Sequence, residues 1–307
     1  MEAMFYKCGN LKLIDIISFN TSSVTDMGFM FYGCSSLEYL NLSNFNTKKV
    51  TTMESMFYKC SSLKSIDISS FDTSSVTDMG YMFYGNSNLT SLDLSNFNTS
   101  KNSIMISMFI YCESLTSLNL SSFNTKKVYT MSFMFEGCYS LKYLDISSFN
   151  TEALKYMNET FYKCESLTSL NLSHFNTPKL LNMDSTFYGC HELNYLDISS
   201  FNTASVTFMN YTFGDCWKLT SIVLSSFNTN KVQYMEYMFY NDYNLKELNL
   251  SSFHTNIVTN MSYMFSNCYD LVSLDISNFN SSQASIEGIF ANSSELKHSK
   301  HHPIDPS

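Results

Sequence analysis

No arginine occurs in this sequence: all 18 basic residues are lysine, set against 27 acidic residues for a formal net charge of −9 at pH 7. Neutralising phosphates needs a clustered basic face, and guanidinium forks are its usual best component, so nucleic acid is excluded as a partner. Apolar residues never run unbroken beyond a few positions, which excludes a transmembrane helix and membrane insertion. The nine cysteines show no C-x-x-C spacing, so the familiar zinc and redox motifs are missing. The Gly-rich nonapeptide of calcium-binding repeats is missing too. No Ser-His-Asp or Cys-His relation can be placed, because the candidate groups recur at equivalent positions instead of converging on one pocket. We therefore expect no enzyme activity, no cofactor and no metal site.

No signal peptide is expected from the first residues either. Met4-Phe5-Tyr6-Lys7-Cys8 falls in register with Met56-Phe57-Tyr58-Lys59-Cys60, so Met1 already lies inside a repeat. A solenoid normally carries a polar cap over each end. The first coil is thus expected to be incomplete and uncapped, the chain being either a fragment of a longer protein or one sealed by something outside this sequence. A monomer is expected, open to end-to-end association through that coil.

What is present is ample material for a core, 44% hydrophobic and 16% aromatic, arranged with one strict period. Phe19, Phe45, Phe71, Phe97, Phe123, Phe149, Phe175, Phe201, Phe227, Phe253 and Phe279 fall 26 residues apart without an insertion. Methionines from Met27 to Met261, a second phenylalanine column from Phe5 to Phe265 and a leucine column from Leu11 to Leu271 run in the same phase. A repeat array is one body whatever its length, so the fold expected is an α/β repeat solenoid of about eleven 26-residue coils over residues 1–290, with a degenerate last coil. Residues 291–307 are expected to be a disordered polar tail.

Within a coil two periods alternate. Leu37-x-x-Leu40-x-Leu42 has the two-residue alternation of a short strand, which implies a parallel sheet on one face. After the turn-rich Ser43-Asn44-Phe45-Asn46-Thr47, the residues Val50, Met53, Met56, Phe57 and Cys60 step by three, three, one and three. That is one face of a short helix of about three turns, or of an irregular or 3₁₀ segment, on the opposite side. Helices there would sit about 8 to 10 Å apart against roughly 4.8 Å between strands, and the array would curve with its sheet inward.

The unit Met-Phe-Tyr-x-Cys-x-x-Leu-x-x-Leu-Asp-Leu-Ser-x-Phe-Asn-Thr-x-x-Val-Thr-x-Met, seen with small changes from Met30 to Met53, resembles the repeats of BspA-like leucine-rich-repeat surface proteins. The resemblance covers residues 1 to about 290. It implies a leucine-rich-repeat solenoid without catalytic residues, on the surface of a bacterial or protist cell, that adheres to host matrix or to other cells. The secretion and anchoring segments of such proteins are not found in this chain.

Four columns are candidates for function. The cysteines, interrupted by Asn86 and Asp242, read as small apolar filler and as free, buried thiols. Asp15, Asn41, Asp67, Asp93, Asn119, Asp145, Asn171, Asp197, Asn249 and Asp275 form an outward-facing stripe between the last two strand leucines, broken by Val223. Carboxylates stacked roughly 5 Å apart repel, and interspersed asparagines relieve the repulsion. A calcium stripe is the competing reading of this column. Tyr39, Tyr143 and Tyr195 stand on the same sheet face among serines, and amphipathic aromatics among small polar residues suit protein or glycan contact. A further stripe, Tyr6, Tyr32, Tyr58, Tyr84, Tyr162, Tyr188 and Tyr240, is read as structural stacking. His298, His301 and His302 in the tail invite a nickel or zinc reading that short His-rich ends rarely justify.

The partner-binding residues expected are Tyr39, Asn41, Asp67, Asp93, Tyr143, Asp145, Tyr195 and Asp197. The function expected is non-enzymatic adhesion at the cell surface or in secreted form, to a protein or glycan on another cell or in the matrix. The alternative is an intracellular or virion-associated interaction scaffold.

Overall fold

The computed structural model describes residues 1–296 and the backbone of 298–300. Lys297 and residues 301–307 lie outside the described residues, and with them about half of the expected tail, His301 and His302 included. The chain divides into two compact units, Met1–Asn150 and Thr151–Ser307, each built from the same coil.

In the first unit the strands are β1 (Tyr39–Asn41), β2 (Ser65–Asp67), β3 (Ser91–Asp93) and β4 (Ser117–Asn119). They pair in parallel as β1–β2 and β3–β4, with Leu40 opposite Ile66 and Leu92 opposite Leu118. In the second unit β5 (Tyr195–Asp197) pairs with β6 (Ser221–Val223), and β7 (Glu247–Asn249), β8 (Ser273–Asp275) and β9 (His298–Lys300) form a three-stranded ladder. Each strand is three residues long, since only the central side chain turns inward before the chain bends at a corner. A second parallel seam on another side of the coil links Asp26, Thr52, Asp78, Ile104 and Thr130 in the first unit, and Tyr156 through Asn182, Phe208, Tyr234 and Asn260 to Ser285 in the second.

The expected helices are not there: among the described residues no helix occurs. The stretch that steps by three, three, one and three is a run of overlapping β-turns. Along Met27–Cys34 the even-numbered amides close turns, Met30 to Met27, Tyr32 to Phe29 and Cys34 to Phe31, at 3.1–3.4 Å. The odd-numbered amides of Met27, Phe29, Phe31 and Gly33 donate instead to Thr52, Glu54, Met56 and Tyr58 of the next coil at 2.7–3.2 Å. With Gly28 donating to Asp26 Oδ1 at 2.8 Å, every N–H of the stretch is committed, and none is left for the i→i−4 bond of a helix. The alternation requires left-handed backbone at two positions per coil, Phe29 (φ 57°) and Gly33 (φ 71°) here, Ser185 and Gly189 in the second unit. Such conformations cost non-glycine residues about 1–2 kcal/mol each, offset here by a bond across the coils.

Coil spacing follows. Phe31, Phe57, Phe83, Phe109 and Phe135 stack with ring centroids 5.5–5.9 Å apart, far closer than the 8 to 10 Å expected between helices. The same stacking runs through Phe161, Phe187, Phe213, Phe239 and Phe265 in the second unit. Glycine takes the second left-handed position at Gly33, Gly85, Gly137 and Gly189, with φ of 67–73°. A Cβ on Gly137 would stand 2.4 Å from the Tyr111 ring, which lies over it.

The count of coils also changes. Eleven phenylalanines were expected to mark eleven coils, whereas the structure is a β-solenoid of about nine turns with about 26 residues per coil. The phenylalanine period counts core residues, not laddered strands. Leu13–Asp15, with Leu13 77% exposed, and the Tyr143–Asp145 and Ser169–Asn171 rungs carry no strand, while β9 falls beyond the last phenylalanine of the series.

A buried threonine locks each corner. Thr47 is 1% exposed; its hydroxyl donates to the Asp72 carbonyl and accepts the Asp72 amide, both at 2.8 Å. Thr73 and Thr99 do the same for Asn98 and Asn124, and Thr203 and Thr229 for Asn228 and His254 in the second unit.

Candidate binding surface

The strand face is built by the two-residue alternation, which points Leu40, Leu92 and Leu196 inward and their neighbours out. Tyr39 is 55%, Tyr143 68% and Tyr195 49% exposed, the three most exposed aromatic side chains among the described residues. Beside Tyr39, the Lys64 ammonium lies 5.8 Å from the ring centroid and 2.7 Å from a Glu38 carboxylate oxygen.

The Asp/Asn stripe is on this face, but its side chains turn onto their own backbone. Asn41 accepts the Ser43 amide at 2.9 Å, Asp67 that of Ser69 at 3.1 Å, Asp93 that of Ser95 at 2.9 Å, Asp145 that of Ser147 at 3.0 Å and Asp197 that of Ser199 at 3.0 Å. Each is an Asx-turn that bends the chain out of the strand into the corner. The Ser69 hydroxyl and amide hold the Asp67 carboxyl below its usual range, and Ser199 does the same for Asp197. One oxygen of each of these two carboxylates is therefore spent on the fold.

The expected residues fall into separate groups. Tyr39, Asn41 and Asp67 line one shallow depression of about 300 Å³ together with Leu13 and Ile66. Asp93 is on β3, and Tyr143 and Asp145 lie four repeats beyond Tyr39 in the first unit. Tyr195 and Asp197 belong to the second unit, where a depression of about 330 Å³ is lined by Ser221, Glu247, Asn249 and Asp275 instead.

The cysteines form no disulfide, and all but Cys8 are buried. Their thiols are not mere filler. Cys60 Sγ donates to the Phe31 carbonyl of the preceding coil at 3.1 Å, Cys112 to Phe83 at 3.2 Å and Cys216 to Phe187 at 3.2 Å. Burial pushes the Cys112 and Cys190 thiols up to about 12. The tyrosine stripe is stacked, as expected, with Tyr32, Tyr58 and Tyr84 at 4.4 Å.

A second exposed feature escaped the sequence reading. In the second unit His191, Trp217, Tyr243 and Tyr269 form an aromatic column, with His191 lying 3.6 Å from Trp217 and Tyr243 5.3 Å from Tyr269. Trp217 is 40% and Tyr269 48% exposed, and the indole N–H donates to Asp215 at 3.2 Å. Burial lowers the His191 pKa from its usual value. The signal was available, because each of these residues directly follows the cysteine column. Among the described residues no group of three or more His, Cys, Asp or Glu could hold a metal ion, and no helix is long and apolar enough to cross a membrane.

Short parallel strands alternating with turns at a 26-residue period define a repeat solenoid of the leucine-rich-repeat type. The crystal structure of a leucine-rich repeat protein from Bacteroides ovatus has this fold: 18% identity, 97% of this chain and 81% of that one covered, TM-score 0.51. A leucine rich cell surface protein from Faecalibacterium prausnitzii is similar at 17% identity over 91% of this chain and 77% of that one, with a TM-score of 0.45. The resemblance to BspA-like leucine-rich-repeat proteins therefore holds. The chain belongs to the family described as "Mycoplasma protein of unknown function, DUF285", whose model matches residues 1–117, 85–195, 160–249 and 181–302. Comparison with curated proteins gave no match.

Proposed function

We propose that this chain is a non-enzymatic binding protein of the cell surface or secreted fraction, which uses its strand face to hold a protein or glycan on another cell or in the matrix. The observation that carries the reading is the exposure of Tyr39, Tyr143 and Tyr195, each at 49% or more, on a face where leucines alternate inward. A ring standing in solvent contributes little to the fold and much to a contact, since tyrosine presents a large rigid surface and loses few rotamers on binding. The carboxylates of Asp67, Asp93, Asp145 and Asp197, each accepting a serine amide at its corner, add acceptors to the same face. Many weak contacts spread over repeats add through area and effective concentration.

The test is a screen of the purified chain against immobilised matrix proteins and glycans, repeated with Tyr39→Ser, Tyr143→Ser and Tyr195→Ser combined. Binding is expected to fall at least tenfold in the triple variant, about 1.4 kcal/mol. Undiminished binding would place the contact elsewhere, with the Trp217–Tyr269 column as the next surface to change.

A further inference from the structure

Asp242 occupies a cysteine position, is fully buried, and has an oxygen, Oδ2, without a hydrogen-bond partner. The column defines what that position must do. A side chain there donates to the carbonyl of the phenylalanine 29 residues earlier: Cys216 to Phe187 at 3.2 Å and Cys268 to Phe239 at 3.1 Å. Polar replacements keep the rule. Asn86 donates its amide to the Phe57 carbonyl at 3.0 Å, and Ser293 donates to Phe265 at 2.5 Å while accepting the Cys268 amide at 3.1 Å.

Asp242 performs the accepting half, taking the Cys216 amide on Oδ1 at 2.9 Å. That amide would otherwise close a turn onto the Phe213 carbonyl, as Cys190 does onto Phe187 and Cys60 onto Phe57. The Phe213 carbonyl receives no backbone amide in its place. Periodicity therefore sets two acceptors against each other, Oδ2 and the Phe213 carbonyl, with no donor between them. An ionised carboxylate would leave both buried and repelling, whereas one proton satisfies both.

We propose that Asp242 is a protonated carboxylic acid in the folded protein, its Oδ2–H donating to the Phe213 carbonyl, and that this makes the second unit lose stability as pH rises. Its surroundings agree. Burial pushes the carboxyl well above its usual range, and the groups that interact with it are themselves acidic: Asp215, the Cys216 and Cys268 thiols, and Tyr243. No lysine or histidine is among them. A carboxyl whose folded pKa is raised above the unfolded value of about 3.9 contributes stability in full below that value. The contribution is lost as pH climbs through the folded pKa. The function this serves is a coil tightest in acid, and it is independent of what the strand face binds.

Trp217, the single tryptophan, adjoins Cys216 and reports on this coil. Urea unfolding of the full chain followed by its fluorescence between pH 4 and 8 is compared with Asp242→Asn and Asp242→Cys. Both variants supply a donor that does not ionise in that range. Relative to either, the unfolding constant of the natural protein is expected to rise about tenfold per pH unit from about pH 4 up to the folded pKa. Parallel pH profiles in all three would overturn the proposal. Should both variants misfold, infrared difference spectra of the natural chain labelled at aspartate carboxyls decide it. A carboxylic-acid carbonyl band persisting at pH 7 supports the proposal, and only carboxylate bands refute it.

Discussion

Replacing Thr47 by valine and by serine should reverse the order that hydrophobicity alone would give. Thr47 is 1% exposed and looks like a place where an isosteric methyl would improve the core. Its hydroxyl, however, both donates to and accepts from the Asp72 backbone at 2.8 Å. Valine keeps the volume and abandons both groups, each costing about 1–3 kcal/mol when left unsatisfied, against a gain of about 0.8 kcal/mol for one more buried methyl. The net loss expected is about 1–5 kcal/mol, centred near 3. Serine keeps both bonds and loses one methyl, about 1 kcal/mol. Urea midpoints with unchanged m-values give the two losses, and hydrogen exchange at the Asp72 amide localises them: exchange should quicken far more in Thr47→Val than in Thr47→Ser. If valine proves as stable as serine, the threonine column is packing and the relay has no energetic meaning.

Two further outcomes test the stacked interior. Phe83 is fully buried between Phe57 at 5.5 Å and Phe109 at 5.9 Å, so Phe83→Ala leaves a hole with both faces bare and should cost about 3–5 kcal/mol in chemical denaturation. A loss under about 1 kcal/mol would mean the coils close over the gap. Of the nine thiols only Cys8 is exposed, so a thiol reagent at neutral pH should modify Cys8 rapidly in the folded chain and all nine in urea. Fast modification of three or more without denaturant would contradict the burial of the column.

Much of this was legible from the repeat. The residues at Met27, Phe31, Cys34, Leu37, Leu40, Leu42 and Phe45 were assigned inward and are all buried. The strand face and its exposed Tyr39, Tyr143 and Tyr195 were assigned from period-two alternation alone. The Asp/Asn stripe was placed correctly, but its part in turning the chain at the corner went unread. Its serine two residues on, as in Asp67-Ile68-Ser69, was the sign of an Asx-turn, and stacking repulsion drew the attention instead. The helix was misread because buried residues three and four apart satisfy a run of β-turns as well as an α-helix. Glycine recurring at Gly33, Gly85 and Gly137, each with φ near 70°, was the local evidence against it.

By itself the sequence determined the 26-residue period and which side chains stack on their own kind, because both follow from like residues recurring in phase. Only the tertiary structure decided where the backbone bonds go. The amides of Phe29 and Phe31 find Glu54 and Met56 in the next coil, and the Thr47 hydroxyl finds Asp72, all 25 residues along the chain. A bond of that reach leaves no mark in the local pattern, since a window of a few residues reads the same whether its N–H groups point up a helix or across to a neighbouring coil. The neighbour exists only once the coils are stacked, and stacking them commits the amides that a helix would have used.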